Sequence, residues 1–151
     1  MSKNNRVQKI GLASDHAGFR LKKFLKEKLE SEGFEVHDYG CYSTDSCDYP
    51  DYAHPMAVAV IDKTVDLGFS MCGSGNGINM VVNKHSGIRS ALCWNKEITQ
   101  LARSHNDANI CALPARFMSP SIAWQICRIF IDTEFEGGRH KIRIDKISLK
   151  D

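Results

Sequence analysis

Several features that define large classes of protein are missing from this chain of 151 residues. It has no apolar run of about 18 residues, so we expect no transmembrane helix. Its N-terminal segment has no apolar stretch followed by a small-residue cleavage site, and we expect no signal peptide. The formal net charge is only +2, from 20 basic and 18 acidic side chains. Nothing in this balance predicts a nucleic acid or a membrane as partner.

Metal-binding and disulfide signatures are also missing. The six cysteines include no pair with C-x-x-C spacing, so we predict no zinc site, no other metal and no cofactor. Three of them lie in or at the end of apolar, strand-like runs: Cys72, Cys93 and Cys111. This placement favours free thiols in a cytoplasmic protein over a secreted disulfide framework.

What the sequence does contain is a regular alternation of strand-like and helical patterns. Hydrophobic residues make up 42% and charged residues 25%, which suits one globular domain spanning residues 1–151. The predicted strands are residues 7–13, 34–39, 66–72, 88–93 and 108–113. The predicted helices are one that Gly33 ends, then 52–62, 78–84, 96–104 and 119–133, and a last one after the basic segment 137–143. This order predicts an α/β fold, a Rossmann-like three-layer αβα sandwich around a five-stranded parallel sheet.

Polar side chains follow several of these strands. In parallel sheets, ligands bind beyond the carboxyl ends of the strands. Asp15 and His16 follow the first strand, Cys72 ends the third, and Arg116 follows the fifth. We expect His105, which follows a helix, to join them, so that a thiol, a carboxylate, two imidazoles and an arginine meet near one edge.

The third strand runs into a glycine loop, Gly73-Ser74-Gly75-Asn76-Gly77, and then a helix. Alternate glycines let the backbone turn tightly and aim several N–H groups at one anion, either a phosphate or an enediolate oxygen. A plain strand-to-helix turn is the alternative. The spacing is neither that of a nucleotide P-loop nor that of a dinucleotide site, and Ile78 stands where a cysteine phosphatase needs arginine.

Cys72 lies where this loop begins, just before a helix N-terminus, a position that favours the thiolate. It could act as a base or a nucleophile, or it could be a small buried hydrophobe. We predict core positions for Cys93, Cys111 and Cys127. Arg139 and Arg143, four residues apart, predict two guanidiniums on one helical face, suited to a phosphate. A solvated basic tail is the alternative.

These pieces together resemble the type B ribose-5-phosphate isomerases, the family that includes the galactose-6-phosphate isomerase subunits. The matching motifs are SDHAG at 14–18, DYP at 48–50, CGSGNG at 72–77, NK at 83–84, GIR at 87–89, HNDAN at 105–109 and EGGRH at 136–140. They run in order through nearly the whole chain. One branch of the family uses a glutamate just after the glycine loop, where this chain has Ile78, so the chain resembles the cysteine branch.

The resemblance implies a homodimer or tetramer with each active site shared between subunits. It implies that Cys72 moves a proton between C2 and C1 through a cis-enediolate. Ser74 would relay a proton between the two oxygens, and His105, with Asp15 nearby, would open the furanose ring. The implied substrate-binding residues are Asp15, His16, Gly73, Ser74, Gly75, Asn76, Gly77, Asn106, Arg116, Arg139 and Arg143.

Three alternatives remain open at this point. The substrate could be a six-carbon sugar phosphate, allose 6-phosphate or galactose 6-phosphate, with the pocket shaped by residues 42–49 and Trp94. The chain could instead be a sugar-phosphate-binding module without catalysis, which would need neither Cys72 nor His105. A thiol-nucleophile hydrolase, with a covalent intermediate, is the third.

Overall fold

Strands and helices alternate along the computed structural model, which describes residues 7–150. The ends of the predicted domain, residues 1–6 and 151, lie outside this range. The elements are β1 (Lys9–Ser14), α1 (Phe19–Ser31), β2 (Glu35–Asp38), α2 (Tyr49–Ile61), β3 (Leu67–Cys72), α3 (Asn76–Val82), β4 (Ser90–Leu92), α4 (Lys96–Ser104), β5 (Ile110–Pro114), α5 (Pro120–Asp132) and α6 (Arg139–Ile144). A single 3₁₀ turn, His16–Gly18, joins β1 to α1.

The five strands form one sheet in the order β2-β1-β3-β5-β4, and every neighbouring pair is parallel. Two apolar clusters cover its faces. One contains side chains of α1, α4 and α5, and the other contains side chains of α2 and α3. The predicted three-layer α/β class is therefore confirmed, because a parallel sheet needs helices on both faces.

Helix α1 shows how the sequence pattern sets the packing. Leu21, Leu25 and Leu29 recur at four-residue intervals and are all buried against the sheet. Gly33 then adopts a left-handed φ of +92°, and the N–H of Phe34 donates to the carbonyl of Leu29. Gly33 thus ends the helix as predicted.

Helix α2 begins three residues earlier than the sequence predicted. Pro50 occupies its first turn, where a missing N–H costs nothing. Pro55, which we expected in the first turn, therefore lies inside the helix. That prediction was wrong; Pro55 is exposed, so water can reach the backbone carbonyl that its missing N–H leaves without a donor.

The C-terminal part of the chain follows the prediction more closely. The Ser119 hydroxyl accepts a hydrogen bond from the N–H of Ile122 and caps α5. The basic segment does not lead into the last helix; it forms that helix, α6, which includes both Arg139 and Arg143. Within residues 7–150, no helix combines the length and the apolarity that crossing a bilayer requires.

Candidate active site

The order of the strands creates a crevice between β1 and β3. The chain passes from β1 to β2 on one side and later returns to add β3 on the other side. Ligands of open parallel sheets bind at such a reversal, beyond the carboxyl ends of the two strands. Asp15 follows β1 here, and Cys72 is the last residue of β3.

The glycine loop at the end of β3 has several uncommitted backbone donors, among them the N–H groups of Ser74 and Gly75. Gly75 adopts a φ of +77°, a left-handed conformation that glycine tolerates. The N–H of Asn76 is bonded to the hydroxyl of Ser74. The N–H groups of Ser74 and Gly75 have no hydrogen-bond acceptor among residues 7–150. These two donors, directly before the N-terminus of α3, suit an anion.

Cys72 lies at the boundary between this loop and the core. Its exposed fraction is 4%, and it belongs to the apolar cluster under α2 and α3. The carbonyl of Cys72 accepts a hydrogen bond from Ala115, which ties the loop to the segment after β5. The backbone of Cys72 is therefore fixed directly before the loop, and little of the residue is exposed in a single chain.

Three further predicted residues lie at the same edge. Asp15 is buried and caps the 3₁₀ turn, because its carboxylate accepts from the N–H of Gly18. His16 accepts through Nδ1 from the N–H of Cys47. Arg116 lies over the loop: a methyl group added at Gly73 would be 3.1 Å from its Nη1.

Tyr49, the last residue of the segment 42–49 that could shape the pocket, lies at this edge, although it was not among the predicted catalytic or substrate-binding residues. A methyl group added at Gly77 would be 2.5 Å from Cζ and 2.6 Å from the hydroxyl of Tyr49. The phenol therefore packs on the end of the glycine loop. Its position in the motif at 48–50 was a signal, but only the tertiary structure brings that motif to the loop.

His105 does not join this group, and that prediction is corrected by the structure. Helix α4 starts beyond the carboxyl end of β4 and runs back, so that His105 lies near the amino end of β5. Asn109, four residues later, donates to the carbonyl of Arg89, just before β4. Strand β3 has six residues, so the two edges are about 17 Å apart.

A second group of predicted residues surrounds His105 at this amino edge. The rings of His105 and His140 stack with their centroids 4.1 Å apart and their planes at 14°. Arg139 and Arg143 lie on the same helix as His140, α6, and both are exposed. The basic groups predicted for one phosphate are therefore divided, with His16 and Arg116 at one edge and these arginines at the other.

Glu136 joins the two histidines. Its Oε2 lies 3.7 Å from Nε2 of His105 and 3.4 Å from Nε2 of His140. All three ligand atoms lie within 4.8 Å of one another, close enough to suggest a metal site. The stacked rings, however, aim their lone pairs side by side and not at one point, so a metal would require one ring to turn. The arrangement suits shared protons better, and the absence of a metal stays a prediction.

Two buried or half-buried arginines hold the turn that carries His105. Arg89 donates to the carbonyls of Asn106 and Asp107 and to the Asp107 carboxylate. Arg103 donates to the other Asp107 oxygen and to the carbonyls of Ala108 and Thr133. The turn and the end of α5 are thus fixed relative to each other. Burial lowers the pKa of Arg103, and Asp107 opposes that shift.

The remaining cysteines divide as predicted into core and loop positions. Cys93, Cys111 and Cys127 have no exposed surface, and all six thiols are free. Burial raises the pKa of Cys111 and of Cys127. For Cys111 and Cys127 this shift favours the thiol over the thiolate, whereas a hydrogen bond with Cys111 lowers the pKa of Cys93.

Comparisons with known proteins show which family the sequence and the fold resemble. A family model described as ribose/galactose isomerase matches residues 10–147. The ribose-5-phosphate isomerase B of Escherichia coli is 39% identical over 142 residues, covering 94% of this chain and 95% of the relative. The crystal structure of a ribose 5-phosphate isomerase from Thermotoga maritima is 46% identical with a TM-score of 0.91, covering 93% of this chain and 97% of that one.

A third similar structure contains a ligand. It is the ribose-5-phosphate isomerase B of Mycoplasma genitalium with bound ribulose-5-phosphate, 42% identical with a TM-score of 0.88, covering 92% of this chain and 93% of that one. Sequence and fold agree over nearly the full length of every chain compared. The protein therefore belongs to the ribose/galactose isomerase family.

Proposed function

We propose that the protein interconverts ribose 5-phosphate and ribulose 5-phosphate. The observation that carries this proposal is the junction of β3 and α3, where Cys72 ends the strand and the uncommitted amides of the glycine loop follow directly. A base beside oriented donors is what proton abstraction next to a carbonyl requires. The ligand of the Mycoplasma relative, ribulose-5-phosphate, is the product that this chemistry would give.

In the proposed reaction the Cys72 thiolate takes the C2 proton of the open-chain aldose. The C2–H electron pair forms the C1–C2 double bond, and O1 becomes the oxyanion of a cis-enediolate. The N–H groups of Ser74 and Gly75 stabilise this charge, each oriented donor being typically worth about 3 kcal/mol. The Ser74 hydroxyl relays the O2 proton to O1. The thiol then returns its proton to C1, and C2 becomes the carbonyl of the ketose.

The low exposure of Cys72 restricts what can reach it. A substrate must seat its reacting carbons directly against the glycine loop to meet the sulfur. This favours a small phosphorylated sugar whose remote phosphate supplies the orienting binding energy. Arg116 provides positive charge at the same edge for that phosphate, and His16, which accepts at Nδ1, has an Nε2–H donor to offer.

We further propose that a second copy of the chain completes the site. His105, Asn106, Arg139 and Arg143 lie at the amino edge, about 17 Å from Cys72 along β3, too far to share one pentose. Two subunits that pair the carboxyl edge of one with the amino edge of the other would bring both groups together. Around a two-fold axis the same contact occurs twice and gives two sites.

Exposed apolar side chains at both edges support this pairing. Trp94 and Phe117 follow β4 and β5 and are 59% and 77% exposed. Ile142 and Leu149, in and after α6, are 62% and 95% exposed. Apolar side chains of this size on two complementary edges are suited to burial between subunits. In this arrangement, His105 of one chain opens the furanose ring with Asp15 of the other.

The first test is the Cys72→Ala variant. We expect it to abolish isomerisation and to leave sugar-phosphate binding within about threefold, because the loop amides and basic groups remain. Cys93→Ala, which removes an equally buried sulfur from the core, is the control and should keep kcat. Normal turnover by Cys72→Ala would show that the thiol is not the catalytic base. Loss of sugar-phosphate binding in this variant would indicate that Cys72 has a structural role. A trapped covalent adduct on the Cys72 sulfur of the wild-type protein would favour the alternative of a thiol-nucleophile hydrolase.

The six-carbon alternative needs a separate measurement. Allose 6-phosphate and galactose 6-phosphate differ from ribose 5-phosphate in length, so the segment 42–49 and Trp94 would decide the preference. We expect kcat/KM for ribose 5-phosphate to exceed that for allose 6-phosphate by at least about tenfold, roughly 1.4 kcal/mol of discrimination. The reverse order would reassign the substrate without changing the chemistry.

A further inference from the structure

The carboxylate of Glu136 contacts both imidazoles of the stacked pair at the amino edge. Its Oε2 faces Nε2 of His105 at 3.7 Å and Nε2 of His140 at 3.4 Å. The backbone N–H of Glu136 also donates to the carbonyl of Ser104, directly before His105. Main chain and side chain therefore both attach this residue to the segment that ends α4.

The stacking limits the charge that the pair can hold. Two imidazolium rings with centroids 4.1 Å apart would repel each other, whereas one imidazolium beside one carboxylate is balanced. Burial and the nearby cations His105 and Arg139 lower the pKa of His140. The side chain of His105 is 37% exposed and that of His140 is 12% exposed, so His105 is the ring of the pair that can meet a ligand.

We propose that Glu136 is a positioning residue for ring opening: it keeps one proton on the His105–His140 pair and orients His105 to deliver it. The inference rests on the proposed function, in which His105 is the ring-opening acid. In that step the C1–O4 bond of the furanose breaks and O4 receives the proton from Nδ1 of His105, because Nε2 faces Glu136. The C1 hydroxyl gives its proton to Asp15 of the other subunit, and C1 becomes the aldehyde.

The experiment separates ring opening from enediolate formation. Exchange of the C1 hydrogen of ribulose 5-phosphate with solvent deuterium needs only Cys72 and the glycine loop. Conversion of ribose 5-phosphate also needs the furanose to open. For Glu136→Gln we expect kcat/KM on ribose 5-phosphate to fall at least about tenfold, with the C1 exchange rate, followed by proton NMR, within about twofold of the wild type.

Two control variants make the result decisive. Glu134→Gln removes a carboxylate two positions away that has no ion pair to a histidine among residues 7–150, and it should change neither rate. His105→Gln should reproduce the selective loss. If His105→Gln shows it and Glu136→Gln does not, Glu136 has no positioning role. If Glu136→Gln lowers both rates together, its role is structural, and the inference is wrong. If His105→Gln leaves the conversion of ribose 5-phosphate unchanged, His105 is not the ring-opening acid, and that part of the proposed function is wrong.

Discussion

If the proposed site is divided between two edges of the sheet on different subunits, two inactive variants should restore each other's activity. Cys72→Ala damages the group at the carboxyl edge, and His105→Gln damages the group at the amino edge. Each variant alone has the same defect in every site of its own oligomer. A mixed pair of subunits instead combines both defects in one site and leaves the other site intact.

The expected recovery of activity follows from the number of intact active sites in the mixture. Equal amounts of the two chains, unfolded together in urea and refolded, give parental and mixed pairs in a ratio of about 1:2:1. Half of the pairs are mixed, and each has one intact site of two, so about a quarter of the wild-type sites return. Turnover of ribose 5-phosphate should therefore rise from near zero to about 25% of wild type.

A second mixture controls for refolding. Cys72→Ala and Arg116→Ala change the same edge, so every site in their mixed pairs carries one of the two defects. Activity in that mixture should stay at the mean of the two parents. If the first mixture recovered nothing although subunits exchanged, each site would have to lie within one chain, and the separation of about 17 Å along β3 would have been misread.

Three other predictions concern the scaffold. Gly75→Ala should lower the free energy of unfolding by about 1–3 kcal/mol and lower kcat, because φ is +77° and the new methyl would lie 2.5 Å from a neighbouring side chain. Gly33→Ala, at φ +92° in open space, should lower the free energy of unfolding by about 1 kcal/mol and leave kcat unchanged. Urea unfolding with parallel kcat measurements checks both variants. Equal losses of stability and of kcat in the two would show that the contact at Gly75 does not matter. Arg103→Met should lower the free energy of unfolding by about 3 kcal/mol, because one oxygen of the Asp107 carboxylate and the carbonyls of Ala108 and Thr133 lose their Arg103 donor. Arg128→Met, which removes exposed ion pairs, should lower it by about 0.5 kcal/mol. Finally, burial raises the pKa of Cys127 above the ordinary 9.0. Above pH 9 the thiol therefore loses its proton only in the unfolded state. The free energy of unfolding should then fall as pH rises, with a slope that approaches about 1.4 kcal/mol per pH unit. Cys127→Ala should reduce that slope by one proton, and an unchanged slope would show that the thiol ionises in the folded protein.

Local sequence patterns were sufficient for most of the fold. The stripe of leucines in α1, the left-handed Gly33 and the cap at Ser119 are each determined within a few residues of chain. Alternation of such elements predicts a parallel sheet because helices must cover both its faces. Helix α2 was placed less well, because Pro55 suggested a first turn that Pro50 in fact occupies.

The candidate site was predictable residue by residue but not as an arrangement. The ordered motifs identified Cys72, the glycine loop and His105, yet the prediction placed all of them at one edge. A signal was present in the order of elements: a residue that follows a helix and precedes a strand lies at the amino edge of a parallel sheet. Glu136 was in a recognised motif, but its distance of four residues from His140 did not reveal their shared contact with His105.

The sequence by itself determined which elements form and which side chains are candidates for the chemistry, because periodicity, capping and glycine geometry act over short stretches of chain. Only the tertiary structure decided how those side chains divide. Helix α4, with nine residues, carries the chain back about 13 Å, and that return separates His105 from Cys72. Contacts between segments distant in sequence, such as Arg103 with Thr133, then fix each half of the site in place.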